Sequence, residues 1–229
     1  LPSSPNRSTA VVAQRHSATD SLDYFPTCPW ATRAFMREFF VPEFGPPDEM
    51  HFKEPACGQG HMAYVLEEFA GAVEWSDVHR YDQPEPRQVQ IGSYIGDGLD
   101  VLPYLFRSCD WVITNPPFNE AGRFQQRARL EARHGVALLL RSTWMEGGER
   151  YREIFKDDPP RFIVQSCDRI SMVQGRWDPK ARRPTSYAWF VWDCTWTPSI
   201  GDRDPRLRWI PPGAEERNTL PIDYQRWAT

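Results

Sequence analysis

The apolar run Trp111-Val112-Ile113-Thr114 passes directly into Asn115-Pro116-Pro117-Phe118, and no other junction in the chain restricts the fold as tightly. The run reads as a buried strand. Prolines cannot extend it, because each lacks an N–H and fixes φ, so the chain must leave the sheet at Asn115. At the carboxyl end of a parallel strand, that departure point is where open α/β sheets hold their ligands. The residue types add a chemical expectation. An amide oxygen and a proline-capped carbonyl can both accept from an exocyclic amino group, and a phenyl ring can stack on a flat heterocycle. The junction therefore predicts a site for a planar substrate bearing an NH₂ group.

The rest of the chain supplies the sheet. Residues 51–56, 72–78, 93–96, 110–114, 135–140, 161–165 and 187–192 read as strands, and 30–40, 61–69, 124–133 and 149–156 as helices. Pro29 is expected to open the first helix, the stretch 42–47 to stop it, and Gly71 to cap the second. Strands alternating with helices imply βαβ units, hence a mostly parallel sheet with helices on both faces. No clear helix separates the last two strands, which predicts an antiparallel pair at one edge. Residues 1–20, polar and aperiodic, read as a flexible arm. Residues 201–229, rich in Pro and Trp, read as coil packed on a domain spanning 21–200. At 229 residues the chain suits one full-sized domain.

Other strand ends carry suitable groups. The first strand runs into Glu54-Pro55-Ala56-Cys57-Gly58-Gln59-Gly60, where two glycines let backbone approach a ligand near a helix N-terminus. Such a turn also serves any tight strand-to-helix connection. It lacks the third glycine of the dinucleotide fingerprint, and no Gly-Lys-Ser/Thr follows, so a phosphate-free nucleoside fits better than a nucleotide. Asp77 ends the second strand, where an acid can accept both ribose hydroxyls. Asp97, in Gly96-Asp97-Gly98, ends the third and could accept from an adenine amino group.

Charge is unevenly spread. Residues 1–120 hold 8 basic and 17 acidic side chains, and residues 121–209 hold 17 basic and 11 acidic. The second half can therefore present a basic face to phosphates, or simply a solvated one. Within it, residues 174–183 interleave Arg176, Lys180, Arg182 and Arg183 with Trp177, a combination that can neutralise phosphate and stack on a base. Five cysteines, widely spaced and without a Cys-x-x-Cys pair, fit reduced thiols rather than a disulfide framework or a metal site. No apolar run approaches the ~20 residues that span a bilayer. His61 and His79 flank the motifs and read as packing or surface residues.

In this order the motifs resemble those of class I S-adenosylmethionine-dependent methyltransferases that act on amino groups. The chain is similar to DNA N6-adenine methyltransferases, and in layout to the small prophage-type enzymes with the gamma-like motif order. The resemblance covers residues ~24 to ~193. It implies a Rossmann-like, seven-stranded, mostly parallel sheet with an antiparallel last strand, and S-adenosyl-L-methionine as cofactor. It further implies that Pro26, Thr27 and Trp30 contact the cofactor's methionine part and that Glu54, Ala56, Gly58 and Gly60 form the glycine loop. Asp77 would bind the ribose, Asp97 the adenine, and Asn115, Pro116, Pro117 and Phe118 would form the catalytic tetrapeptide. No metal is implied. DNA is the implied partner, at a flipped or unpaired adenine, with an RNA base or a protein glutamine amide as alternatives. The cytoplasm of a bacterium or phage-infected cell is the implied location. A module that has lost catalysis would have little reason to retain both the tetrapeptide and the ribose acid. The chain lacks any long insertion resembling a target-recognition domain, which implies weak sequence specificity unless a partner supplies it.

Overall fold

The computed structural model describes residues 23–85, 87–95, 108–181, 184–197 and 204–227. The expected arm, 1–20, lies outside the described residues. Eight strands form one sheet: β1 (His51–Glu54), β2 (Ala72–Asp77), β3 (Val89–Ile91), β4 (Cys109–Thr114), β5 (Ala132–Arg141), β6 (Phe162–Ser166), β7 (Tyr187–Asp193) and β8 (Arg206–Ile210). Their order is β3-β2-β1-β4-β5-β7-β6-β8. The first five are parallel to one another. β7 runs antiparallel to β5 and β6, and β8 is parallel to β6. Helices are α1 (Pro29–Phe35), α2 (Val41–Phe44), α3 (Ala63–Leu66), α4 (Ala121–Glu131), α5 (Gly148–Arg150), α6 (Ala214–Asn218) and α7 (Pro221–Trp227).

The mostly parallel α/β sheet is as expected; its far edge is not. The antiparallel pair lies inside the sheet, because every residue of β7 is buried and such a strand needs cover on both faces and both edges. The supposed coil after residue 201 contributes β8, an eighth strand with four of its five residues exposed. Its alternation of Arg206, Leu207, Arg208 and Trp209 is that of an edge strand with charge on one side. The third strand is Val89–Ile91 rather than 93–96, a short edge paired with Trp75, Ser76 and Asp77.

Side-chain alternation divides the core into two layers. Val136, Leu138 and Leu140 of β5 join Ala121 and Ala128 of α4 on one face. Ala137 and Leu139 join Phe35 and Phe40 on the other, where Phe35 stacks on Trp189 at 4.2 Å. Gly135 is required in β5 because a Cβ there would meet the Trp111 ring at 2.4 Å.

The first helix does not stop at 42. A π-helical turn, Met36–Phe40, re-registers the hydrogen-bond ladder, so Pro42 falls at the start of a new turn, where its missing N–H is tolerated. Gly71 is not a left-handed cap either. It is needed because a Cβ would lie 2.5 Å from the Asp48 carbonyl oxygen.

The C-terminal helices are fastened to the first by Arg33, which is fully buried. Its guanidinium donates to Glu68 at 2.5 and 2.7 Å, to Asp223 at 3.0 and 3.1 Å, and to the Asn218 carbonyl. Trp227 stacks on His61 at 3.9 Å, directly behind the glycine loop. No helix among the described residues is long and apolar enough to cross a membrane.

Candidate active site

The carboxyl ends of β1, β2 and β4 open into a cleft that encloses about 870 Å³ of atom-free space, the solvent at its mouth included. Glu54 ends β1, Asp77 ends β2 and Asn115 follows β4, while the segment 24–27 ahead of α1 completes the lining together with Tyr81 and Tyr94. Of the expected site residues, Pro26, Thr27, Glu54, Ala56, Asp77, Asn115 and Pro117 line this cleft. Trp30 does not; it is buried at the start of α1, in the core. Asp97 lies outside the described residues.

Gly58 and Gly60 stand behind the lining rather than in it. Gly58 has φ +54°, and a Cβ there would lie 2.3 Å from the Tyr24 ring; Gly60 has φ +96°, and its Cβ would lie 2.5 Å from the Trp75 ring. These glycines clear space for two of the protein's own aromatic rings, in a left-handed backbone that glycine adopts most readily. The loop is held further by Gln83 Nε2, which donates to the Gly58 carbonyl at 2.9 Å. Tyr24 in turn packs on Tyr81, with ring centres 4.5 Å apart and planes tilted by 33°.

Two carboxylates share the cleft. Asp77 accepts from Gly58 N–H at 2.8 Å and from His79 N–H at 2.9 Å, which ties β2 to the glycine loop. Burial raises its carboxyl above the ordinary value even against these hydrogen bonds. Glu54 is almost wholly buried and its Oε2 has no hydrogen-bond partner. Burial, then the charge of Asp77, lifts the Glu54 carboxyl well above the usual range, with the Ala63 N–H pulling it partly back. Such a pair is costly without a positive partner, so the site favours a cationic ligand group. His61 cannot supply that charge, because burial pushes it down to about 3 and keeps it neutral. Cys57 is buried and its thiol pushed up by burial, so it is no nucleophile at neutral pH. Among the described residues no cluster of His, Cys, Asp or Glu could hold a metal.

Asn115 lines the cleft just after the end of β4. Its Nδ2 donates to the Phe25 carbonyl at 2.8 Å. A carbonyl can only accept, so this contact fixes which end of the amide faces it. Oδ1 is thereby left buried without a partner. Pro116 is buried, Pro117 lines the cleft, and Phe118 turns away from it. The Phe118 ring lies 5.7 Å from Phe25 and 5.9 Å from Tyr187, with the Arg141 guanidinium over it at 4.8 Å.

The 174–183 loop departs from expectation at its aromatic residue. Trp177 is buried against Tyr224 of α7, 5.4 Å between ring centres, so it offers no face to a base. Arg176 and Lys180 are exposed, and Arg176 reaches Asp178 at 3.4 Å. Arg182 and Arg183 lie outside the described residues. Reasoning from sequence missed Asp23, Tyr81, Tyr94 and Arg141. Only Arg141, a lone charge closing an apolar strand, carried a signal that could have marked it.

No family model matches the chain, and no curated protein does. Solved structures share its fold. A Listeria monocytogenes protein assigned to the class I S-adenosylmethionine-dependent methyltransferases aligns over 82% of this chain and 67% of its own, with TM-score 0.54 and 10% identity. A modification subunit assigned to a type I restriction enzyme of Vibrio vulnificus aligns over 91% of this chain and 52% of its own, with TM-score 0.53 and 13% identity. The methyltransferase subunit of a type I restriction–modification system from Streptococcus thermophilus aligns over 80% and 45%, with TM-score 0.50 and 8% identity. The chain thus spans about half the length of the two restriction–modification proteins. It has the Rossmann-like fold of these methyltransferases.

Proposed function

We propose that this chain transfers the methyl group of S-adenosyl-L-methionine to the exocyclic N6 amino group of adenine in DNA. The carrying observation is the Asn115 amide. Its nitrogen is committed to Phe25, which leaves a buried acceptor oxygen at the end of β4, beside a cleft lined by acids and aromatic rings. The residues fit the cofactor. Glu54 and Asp77 offer negative charge and acceptor oxygens to a ligand with an ammonium, a sulfonium and two ribose hydroxyls, and Tyr81 and Tyr94 offer flat faces to its adenine. When bound, the cofactor supplies an electrophilic methyl group, so no side-chain nucleophile is required.

The chain's own contribution is orientation. Asn115 Oδ1 and the Pro116 carbonyl accept the two amino hydrogens and turn the nitrogen lone pair toward the methyl carbon. The bound cofactor would supply the methyl with its sulfur as leaving group, so the acceptor nitrogen needs only to be positioned. The surplus proton leaves the nitrogen for water, since neither acceptor is basic. An adenine inside a duplex cannot reach the cleft, so the target is flipped out or unpaired. The Phe118 ring and Arg141, which has no ion-pair or hydrogen-bond partner among the described residues, form the kind of pair that stacks on a base. Phosphate contact is supported by the basic excess of 121–209 and by exposed Arg176 and Lys180. Two proteins of this fold carry restriction–modification names, which puts DNA ahead of RNA or peptide acceptors. On this reading the reaction belongs in the cytoplasm of a bacterium or an infected host.

Incubation with methyl-labelled cofactor and single-stranded DNA, duplex DNA, structured RNA or a glutamine peptide tests the proposal. Label recovered as N6-methyladenine from DNA supports it. Label confined to RNA or peptide rejects the DNA assignment, and no label anywhere rejects the activity.

A further inference from the structure

The two prolines that end β4 leave the catalytic corner few main-chain handles. Neither has an N–H, so the first backbone donor after Asn115 is that of Phe118. Asp23 takes it: Phe118 N–H donates to Asp23 Oδ2 at 2.9 Å. Two residues on, the Phe25 carbonyl accepts from Asn115 Nδ2 at 2.8 Å. Between them the Tyr24 carbonyl accepts from Gly175 N–H at 2.9 Å, which ties the same segment to the loop before β7. Residues 23–25 thus grip both ends of the tetrapeptide from 90 and 95 positions upstream. Asp23 is also the one non-glycine residue with positive φ among those described, at +39°. That backbone is unfavourable for an L residue and is tolerated best by Asn and Asp. Residues held this way cluster at functional sites, where their surroundings over-determine them.

We infer that Asp23 is a positioning residue: its carboxylate pins the Phe118 N–H and so fixes the orientation of the Asn115–Phe118 corner toward the amine. The inference rests on the methyl-transfer reading and extends it to a residue outside the tetrapeptide. The bond to a charged acceptor is directional and strong, whereas the Phe118 ring contacts to Phe25 and Tyr187 leave rotation open. Losing it loosens the corner while Asn115 stays tied to Phe25. The loss therefore falls more on turnover than on cofactor affinity.

Three substitutions separate side chain from backbone. Asp23→Asn keeps an acceptor oxygen and tolerates the left-handed backbone. Asp23→Gly keeps the backbone and removes the acceptor, and Asp23→Ala loses both. Steady-state methyl transfer, cofactor binding by calorimetry, thermal unfolding and hydrogen exchange at the Phe118 amide are measured for each. Asp23→Asn should stay within a few-fold of wild type. The Gly and Ala variants should lose kcat on the order of ten- to a hundred-fold, the scale expected for a misplaced reacting group. Asp23 also lines the cleft, so their cofactor Kd should change far less than their kcat, and Phe118 exchange should be fast. A Gly variant with wild-type kcat, or an Asn variant as impaired as Ala, overturns the inference. Wild-type protein that methylates no acceptor rejects the proposed function, and the positioning role with it; active wild type with an undiminished Gly variant rejects the positioning role alone.

Discussion

Asn115→Asp separates the two jobs assigned to one amide. The substitution keeps an oxygen where Oδ1 stands but replaces the donor nitrogen by a second oxygen, 2.8 Å from the Phe25 carbonyl. The native hydrogen bond is worth ~0.5–1.5 kcal/mol net, and a buried carbonyl left unsatisfied costs ~1–3 kcal/mol. The new carboxylate also joins Glu54 and Asp77 in a cleft that already raises carboxyl groups. It relieves both conflicts by taking up a proton, so its folded value lies above the ordinary ~3.9. The folded state then binds that proton more tightly than the unfolded state. The variant's stability deficit is therefore small below the unfolded value and grows as pH rises through the folded one. Once protonated, the group can again donate to Phe25 and present its other oxygen to the amine. At mildly alkaline pH we expect kcat/KM to fall ~10²–10³-fold, by analogy with losing one preorganised hydrogen-bonding group. Relative to wild type the variant should regain activity toward acid, while Asn115→Ala should stay low at every pH. Initial rates of methyl transfer across the pH range, with urea unfolding in the same buffers, measure both effects. An Asn115→Ala variant with wild-type kcat/KM, or an Asn115→Asp variant whose ratio to wild type ignores pH, would refute the reasoning.

Other consequences concern the cleft and its supports. Because Glu54 holds its proton above the usual range, its contribution to folding stability declines as pH rises past its unfolded value. Glu54→Gln should flatten that slope in urea unfolding and weaken a cationic cofactor, whose binding to wild type should tighten as pH rises and release protons in calorimetry. Gly58→Ala places a Cβ 2.3 Å from the Tyr24 ring at φ +54°, so denaturant unfolding should show at least the ~1–2 kcal/mol cost of a left-handed non-glycine residue. Arg33→Ala strands buried Asp223 without its cation and should cost ~3–5 kcal/mol, read as a lowered unfolding midpoint.

What sequence disclosed and what it hid follow from the range of the forces involved. The parallel strands were recognisable because runs such as Trp111–Thr114 and Val136–Leu140 are apolar on both faces and end at turn residues. Parallel pairing then brings their carboxyl ends to one edge, so Glu54, Asp77 and Asn115 meet in one cleft although they are scattered along the chain. The short strand Val89–Ile91 escaped because it lies at an edge and is largely exposed. β8 escaped because its segment is rich in Pro and Trp, which suggests coil, although the alternation of Arg206, Leu207, Arg208 and Trp209 is that of an edge strand. Trp177 beside basic residues suggests a stacking platform, but its burial against Tyr224 depends on where α7 docks, and no local pattern encodes that. The grip of residues 23–25 on the tetrapeptide is likewise invisible locally, since each bond joins a side chain to a backbone group 90 or 95 positions away.

The account stands most directly on the geometry of a bound complex. A crystal structure with S-adenosylhomocysteine and an adenosine analogue should place the ribose hydroxyls on Asp77 and the sulfur across the cleft from Asn115. The adenine amino group should lie within hydrogen-bonding distance of Asn115 Oδ1 and the Pro116 carbonyl. A ligand seated elsewhere, or an amino group directed away from Asn115, would contradict it.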